Sequence, residues 1–162
     1  MLLYLQGVFM KILLMIILAF TISIMPLYSS ENTDRNTEAF SQYKDKVTVI
    51  LKSLKTELKK VYSIFLNVQS KNDLLKQKNN LKQMIKLTLN AANRIVKIKN
   101  IIKEGIRSSF QNWVQNLDSE LNHLIIKTFS EKTRVISLPG CRVIIAEIDN
   151  EMQLYGRSLN NR

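Results

Sequence analysis

The chain contains little of the chemistry on which disulfide-bonded or catalytic domains depend. Its 162 residues include one cysteine, one histidine, one tryptophan, two prolines and four glycines. Because Cys141 has no second cysteine to pair with, no internal disulfide can form and the fold must hold together by packing. With His123 as the only histidine, the chain has little from which to build a general base or a metal cluster. No glycine-rich phosphate loop occurs either.

These absences argue against an enzyme, and we expect no catalytic residues, no cofactor and no bound metal. A dyad of Cys141 and His123 would lack any recognisable nucleophile motif. The acids Glu147, Asp149 and Glu151 lack the glycine and the alternating carboxylates of a calcium loop. We expect these three acids on a solvated helix face, and His123 in a structural position beside a helix face.

One long apolar run occupies residues 12–27, after Lys11 and before the small residues Ser29 and Ser30. This order is typical of a secretory signal peptide. The run is shorter than the span of about 18 residues that crosses a bilayer, and no block of Lys or Arg follows it, so no stable transmembrane anchor is expected. We predict a signal peptide over 1–29, in which 1–9 is readable as an upstream extension of the gene, and a single secreted, extracellular domain over 30–162.

The single cysteine has two interpretations in an exported protein. An odd cysteine is a candidate for an intermolecular disulfide. Cys141 follows Pro139 and Gly140, which predict a turn, and Arg142 beside it would favour the thiolate. The alternative is that Cys141 is buried as a small hydrophobic residue.

Apolar residues recur at helical steps of three and four through the rest of the chain. The pattern predicts helices over about 36–69, 72–104, 108–137 and 142–156, with Phe110 and Trp113 as core anchors of the third. Ser70 and Asp73 match a capping box at the start of the second. A β-hairpin over 131–150 stays open, because β-branched runs flank the turn at 139–140. We predict an all-α fold, a bundle of three long amphipathic helices plus a shorter C-terminal helix.

Positive charge is concentrated in one part of the chain. Residues 44–107 contain sixteen Lys or Arg against four Asp or Glu, whereas residues 108–162 contain six of each, and the whole chain carries +11. Such an asymmetry indicates an anionic partner. The alternative is a solvated lysine-rich face that keeps the protein soluble.

Helical geometry predicts where this charge lies. At 100° per residue, each of the first two helices carries three lysines on the same-handed flank of its apolar stripe. If the two helices form an antiparallel pair, these flanks lie on one broad side, and we predict that helix three covers the opposite side. The predicted anion-binding residues are Lys52, Lys55, Lys59, Lys78, Lys82 and Lys86.

The composition of residues 52–59 and 78–86 limits the class of partner that these lysines can bind. No aromatic residue lies between Lys52 and Lys59 or between Lys78 and Lys86, so stacking on bases is excluded there and nucleic acid is not expected. An anionic glycan, a lipid surface or a receptor protein would accept such point charges. We predict a secreted, non-enzymatic binding protein, in general type similar to the small helical proteins of seminal or salivary fluid. The alternatives are a membrane-active amphipathic protein and a coiled-coil protein that self-associates as a homodimer.

Overall fold

The computed structural model describes residues 41–102 and 119–160, which form four packed helices. The predicted all-α bundle is therefore confirmed. The predicted signal peptide, the anchors Phe110 and Trp113, and the predicted beginning of the third helix lie outside the described residues. The four helices are α1 (Ser41–Asn67), α2 (Lys71–Ile101), α3 (Ser119–Ser137) and α4 (Cys141–Asn160).

Helices α1 and α2 form the first antiparallel hairpin, and its tight turn follows from local chemistry. Ser70 is the N-cap of α2, and its hydroxyl oxygen accepts a hydrogen bond of 3.3 Å from the backbone N–H of Asp73. The Asp73 carboxylate in turn accepts from the backbone N–H of Gln69 at 3.3 Å. The first bond satisfies an N–H that a helix start leaves without a partner, and the second satisfies the N–H of the residue before the cap. The predicted capping box is confirmed.

Helices α3 and α4 form the second hairpin through a turn at residues 138–140. The alternative of a β-hairpin here is wrong, because Ile145, Ile148 and Met152 bury one helical stripe against the other helices. Gly140 has φ +74°, a left-handed conformation that glycine adopts without steric cost. A Cβ at this position would also lie 3.0 Å from Cδ of Lys71, so the turn of the second hairpin packs closely on the start of α2.

The second hairpin packs on the first with its helices running in matching directions. Helix α3 contacts α1, and α4 contacts both α2 and α3. Glu120 near the start of α3 pairs with Lys55 in the middle of α1, whereas Arg134 near its end reaches the carbonyl of Phe65. Helix α3 is therefore parallel to α1, and equivalent contacts make α4 parallel to α2. Both tight turns lie at the same end of the bundle.

All four helices contribute to one hydrophobic core. The predicted stripes of α1 and α2 are buried at nearly every described position, and burial of this apolar surface is what stabilises the bundle. The most completely buried large side chains are Phe65, Leu54, Leu58, Leu74, Leu81, Ile148 and Met152.

Candidate functional site

The structure brings most of the predicted lysines into the contact between the two hairpins. Five of them form ion pairs with glutamates of α3 and α4. We name this set the lysine flank: Lys55, Lys59, Lys78, Lys82 and Lys86. The sixth, Lys52, is exposed and has no ion pair within the described part of the chain.

Three carboxylates serve the lysine flank. Glu120 accepts from Lys55 and Lys59, each with an N···O distance of 2.8 Å. Glu147 pairs with Lys78 at 2.6 Å, and Glu151 pairs with Lys82 and with Lys86, the latter at 3.4 Å. Lys86 also lies over the ring of Tyr155, 5.4 Å from its centroid. Much of the positive charge here is therefore neutralised within the chain.

The side on which the second hairpin packs differs from the prediction. The lysines of α1 and α2 do share one broad side of the first hairpin, but the described part of α3 packs on that side and not on the opposite one. The physical reason is burial of the apolar stripes of all four helices in one core, and the exposed ion pairs of Glu120, Glu147 and Glu151 form in that arrangement. The sequence signal for these ion pairs was the position of the three glutamates along α3 and α4. The distribution of basic residues does not contain it.

The lysines alter the titration of these glutamates. Hydrogen bonds from Lys55 and Lys59 lower the pKa of Glu120 from 4.5 to about 2. The hydrogen bond from Lys78 lowers the pKa of Glu147, and that from Lys82 lowers the pKa of Glu151. All three carboxylates therefore remain ionised, and keep their ion pairs with the lysine flank, to a lower pH than a free glutamate would.

We expect the packing of the two hairpins to weaken in acid. Because the folded pKa values lie below the unfolded value of 4.5, the stabilisation is fully present above pH 4.5 and is lost as pH falls through the folded values, which for Glu120 is about 2. Urea unfolding followed over this range should show a falling midpoint. The triple variant Glu120→Gln, Glu147→Gln and Glu151→Gln should flatten this dependence.

The matched control for that prediction is Glu57→Gln, which removes a carboxylate that pairs with Lys60 inside α1 and does not join the hairpins. This control should keep most of the acid dependence. An equally steep dependence in the triple variant would contradict the assignment of the acid response to the lysine flank.

A buried ion pair joins α3 to α4. Lys132 Nζ donates to both carboxylate oxygens of Asp149, at 2.7 and 2.8 Å, and the two residues are only 4% and 7% exposed. The expectation of a solvated face is therefore wrong for Asp149. Burial raises the pKa of Asp149 and lowers that of Lys132, and in each case the partner's charge opposes the shift.

At the end of the bundle that carries both tight turns, Arg134 of the second hairpin contacts the first hairpin. The Arg134 guanidinium donates to the carbonyls of Phe65, Leu66 and Val68, at 2.7, 3.3 and 3.0 Å. These carbonyls belong to the last turn of α1 and its exit, where backbone acceptors lack partners within the helix. Glu131 accepts from Arg134 Nε at 2.6 Å and orients the guanidinium.

The two residues considered for nucleophilic chemistry lie in different environments, one buried and one exposed. Cys141 is fully buried as a free thiol at the start of α4, and burial raises its pKa, an effect that Lys71 partly opposes. The expectation that Arg142 would favour the thiolate is therefore wrong, and an intermolecular disulfide would require α4 to open first. His123 lies on the exposed side of α3.

A groove between described residues carries cations that form no ion pair with a described carboxylate. We name it the outer groove; it lies between the first half of α1 and the last turns of α2, away from the tight turns. Its apolar floor and basic rim are formed by Val49, Ile50, Ile98, Lys46, Arg94 and Lys97, and Asp45 also lines it. At 100° per residue, Lys46 and Val49 lie on the flank of α1 opposite Lys55, and Ile98 lies opposite Lys82 on α2. Lys97 lies only about 60° from Lys82 on the same wheel, so the outer groove extends from the broad side that α3 and α4 leave uncovered to the outer edge of α2.

Over residues 41–102 and 119–160 the geometry defines an all-α bundle of four helices, built from two stacked helical hairpins. Within residues 41–102 and 119–160, no cluster of His, Cys, Asp or Glu is suited to a metal ion, and no helix has the length and hydropathy to cross a bilayer. No family model matches the chain, and neither does a curated protein or a solved structure.

Proposed function

We propose that this protein is a secreted, non-enzymatic helical protein that binds an anionic surface or receptor through its first hairpin. The observation that carries the proposal is the outer groove, where Lys46, Arg94 and Lys97 converge without an ion pair to any described residue. Cations without partners attract anions over about 10 Å at 0.1 M salt. Export is supported by the apolar run at residues 12–27.

In this proposal the lysine flank contributes less to anion binding than the sequence predicted. Its lysines already contact carboxylates, so an external anion would have to compete with Glu120, Glu147 and Glu151. Lys52 is exposed and remains an additional contact. The coiled-coil alternative is disfavoured, because the apolar stripe of α1 that would form it is buried inside the bundle.

The test uses protein collected from the medium of expressing cells, with its N-terminus sequenced. On a heparin column the native chain should be retained, and added NaCl from about 0.1 M to about 1 M should release it as the Debye length falls from about 10 to about 3 Å. The variant Lys46→Gln, Arg94→Gln and Lys97→Gln should bind heparin about 100-fold more weakly, because three cations at about 1 kcal/mol each contribute about 3 kcal/mol.

The matched control is Lys76→Gln, Lys127→Gln and Arg142→Gln, which removes the same net charge from exposed positions outside the outer groove. We expect this control to elute close to the native chain. Equal losses in the two triple variants would show that only net charge matters and would overturn the outer groove as the site. Protein that stays in the cytosol with its first residues intact would overturn secretion.

A further inference from the structure

The outer groove presents apolar side chains together with its cations. Val49, which lines the groove, is 66% exposed, and Ile101, one helical turn beyond Ile98 on α2, is 68% exposed. Lys46, Arg94 and Lys97 line the groove with Val49, and with Asp45 they give it a net charge of +2 (three cations and one carboxylate), whereas Ile101 lies next to the groove along α2. A purely ionic partner gains nothing from exposed aliphatic groups, which cost free energy when they face water.

We infer that the outer groove is a docking site for an anionic lipid membrane surface, an inference that rests on the proposed function and names its partner. A membrane interface supplies both components that the groove matches. Anionic headgroups complement Lys46, Arg94 and Lys97, and the boundary between headgroups and acyl chains accepts the aliphatic groups of Val49 and Ile101. A sulfated glycan offers only the charge.

The outer groove faces away from the second hairpin, so a flat surface has access to it. The second hairpin occupies the opposite broad side of the first, where its glutamates engage the lysine flank. In the described part of the chain, α3 and α4 therefore do not stand between the outer groove and an approaching surface. The bundle docks without opening, which separates this inference from membrane activity through unfolding of the helices.

The experiment measures co-sedimentation of the secreted protein with vesicles of phosphatidylcholine alone or of phosphatidylcholine with phosphatidylserine. The native chain should bind the vesicles that contain phosphatidylserine, and binding should weaken as NaCl is added. The variant Lys46→Gln, Arg94→Gln and Lys97→Gln should lose about 100-fold in affinity for these vesicles, because each basic residue at an anionic surface contributes about fivefold.

The decisive variant keeps every charge and removes the aliphatic groups. Val49→Ser with Ile101→Ser should lose about tenfold in affinity for the anionic vesicles, since it gives up burial of several methyl and methylene groups. Its retention on heparin should stay that of the native chain. The control Val143→Ser with Leu154→Ser alters two equally exposed side chains of α4 and should bind both like the native chain.

The outcomes separate the inference from the proposed function. The lipid inference is supported if the Val49 and Ile101 variant binds anionic vesicles more weakly while its heparin retention and urea midpoint stay unchanged and its control binds like the native chain. Native affinity of that variant for anionic vesicles overturns the lipid inference and indicates a polyanion such as a glycan, while the proposed function stands. Failure of the native chain to bind either heparin or anionic vesicles overturns both.

Discussion

Replacing Lys132 by methionine should lower the free energy of unfolding by about 3–5 kcal/mol, because Asp149 would stay in the core without its cation. Asp149 is 7% exposed and both its oxygens accept from Lys132 Nζ, so no other described side chain replaces the lost partner in the contacts seen. Asp149→Leu should cost a similar amount, because it removes the carboxylate that Lys132 Nζ reaches with two hydrogen bonds in the core. Urea unfolding of each variant measures these losses.

The double variant Lys132→Met with Asp149→Leu provides the test of mechanism. Removing both charges also removes both desolvation costs, so the double variant should recover most of the loss and unfold near the native chain. Lys127→Met, on the exposed side of α3, is the control and should change the free energy of unfolding by no more than about 0.5 kcal/mol. Additive losses in the double variant would mean that packing, not the charges, explains the single variants.

The pH dependence of Lys132→Met adds a second check. Burial raises the folded pKa of Asp149 above its ordinary value of 3.8. A raised folded pKa means that folding favours the protonated carboxyl, so stability increases as pH falls through that value. The deficit of Lys132→Met should therefore shrink in acid, opposite to the response of the lysine flank.

Replacing Arg134 by methionine should lower the free energy of unfolding by about 2–4 kcal/mol, because several hydrogen bonds from a charged donor are lost at once. The guanidinium holds the carbonyls of Phe65, Leu66 and Val68 and so ties the second hairpin to the exit of α1. Arg134→Lys should fall between the native chain and Arg134→Met, since an ammonium cannot reproduce the planar fork. Urea unfolding of the native chain and the two variants measures this order of stability.

Hydrogen exchange would locate the effect of Arg134→Met. The amides near the turn at residues 68–70 and the end of α3 should exchange faster, whereas the far ends of α1 and α2 should change less. Lys127→Met again serves as control. A stability of Arg134→Met within about 0.5 kcal/mol of the native chain would show that water replaces the guanidinium at these carbonyls without cost.

The helices could be predicted because their signals are local. The steps of three and four through Val47, Leu54, Val61 and Phe65 place these residues on one stripe, and that stripe is buried. Ser70 with Asp73 identified the start of α2, since a capping box involves only neighbouring residues. The turn at 138–140 was equally local, although β-branching on both sides left its flanks ambiguous.

The candidate site was only partly predictable. The sequence showed that Lys55 and Lys82 lie on matching flanks of their helices, and the structure places them on one side of the first hairpin. Which side receives α3 and α4 depends on long-range packing in the shared core, which also brings Lys55 to Glu120, 65 residues away along the chain. No local pattern encodes a pairing of that range. The outer groove follows from the same choice, because it is the side left uncovered.

By itself, the sequence determined the all-α class, the positions of both tight turns and the concentration of positive charge in residues 44–107, since these properties depend on residue type and short-range spacing. Only the tertiary structure decided which lysines are neutralised by glutamates, that Asp149 is buried against Lys132, and which cations have no ion pair among the residues of 41–102 and 119–160. The reason is that the net charge of a surface depends on what packs against it, and packing is a property of the assembled helices.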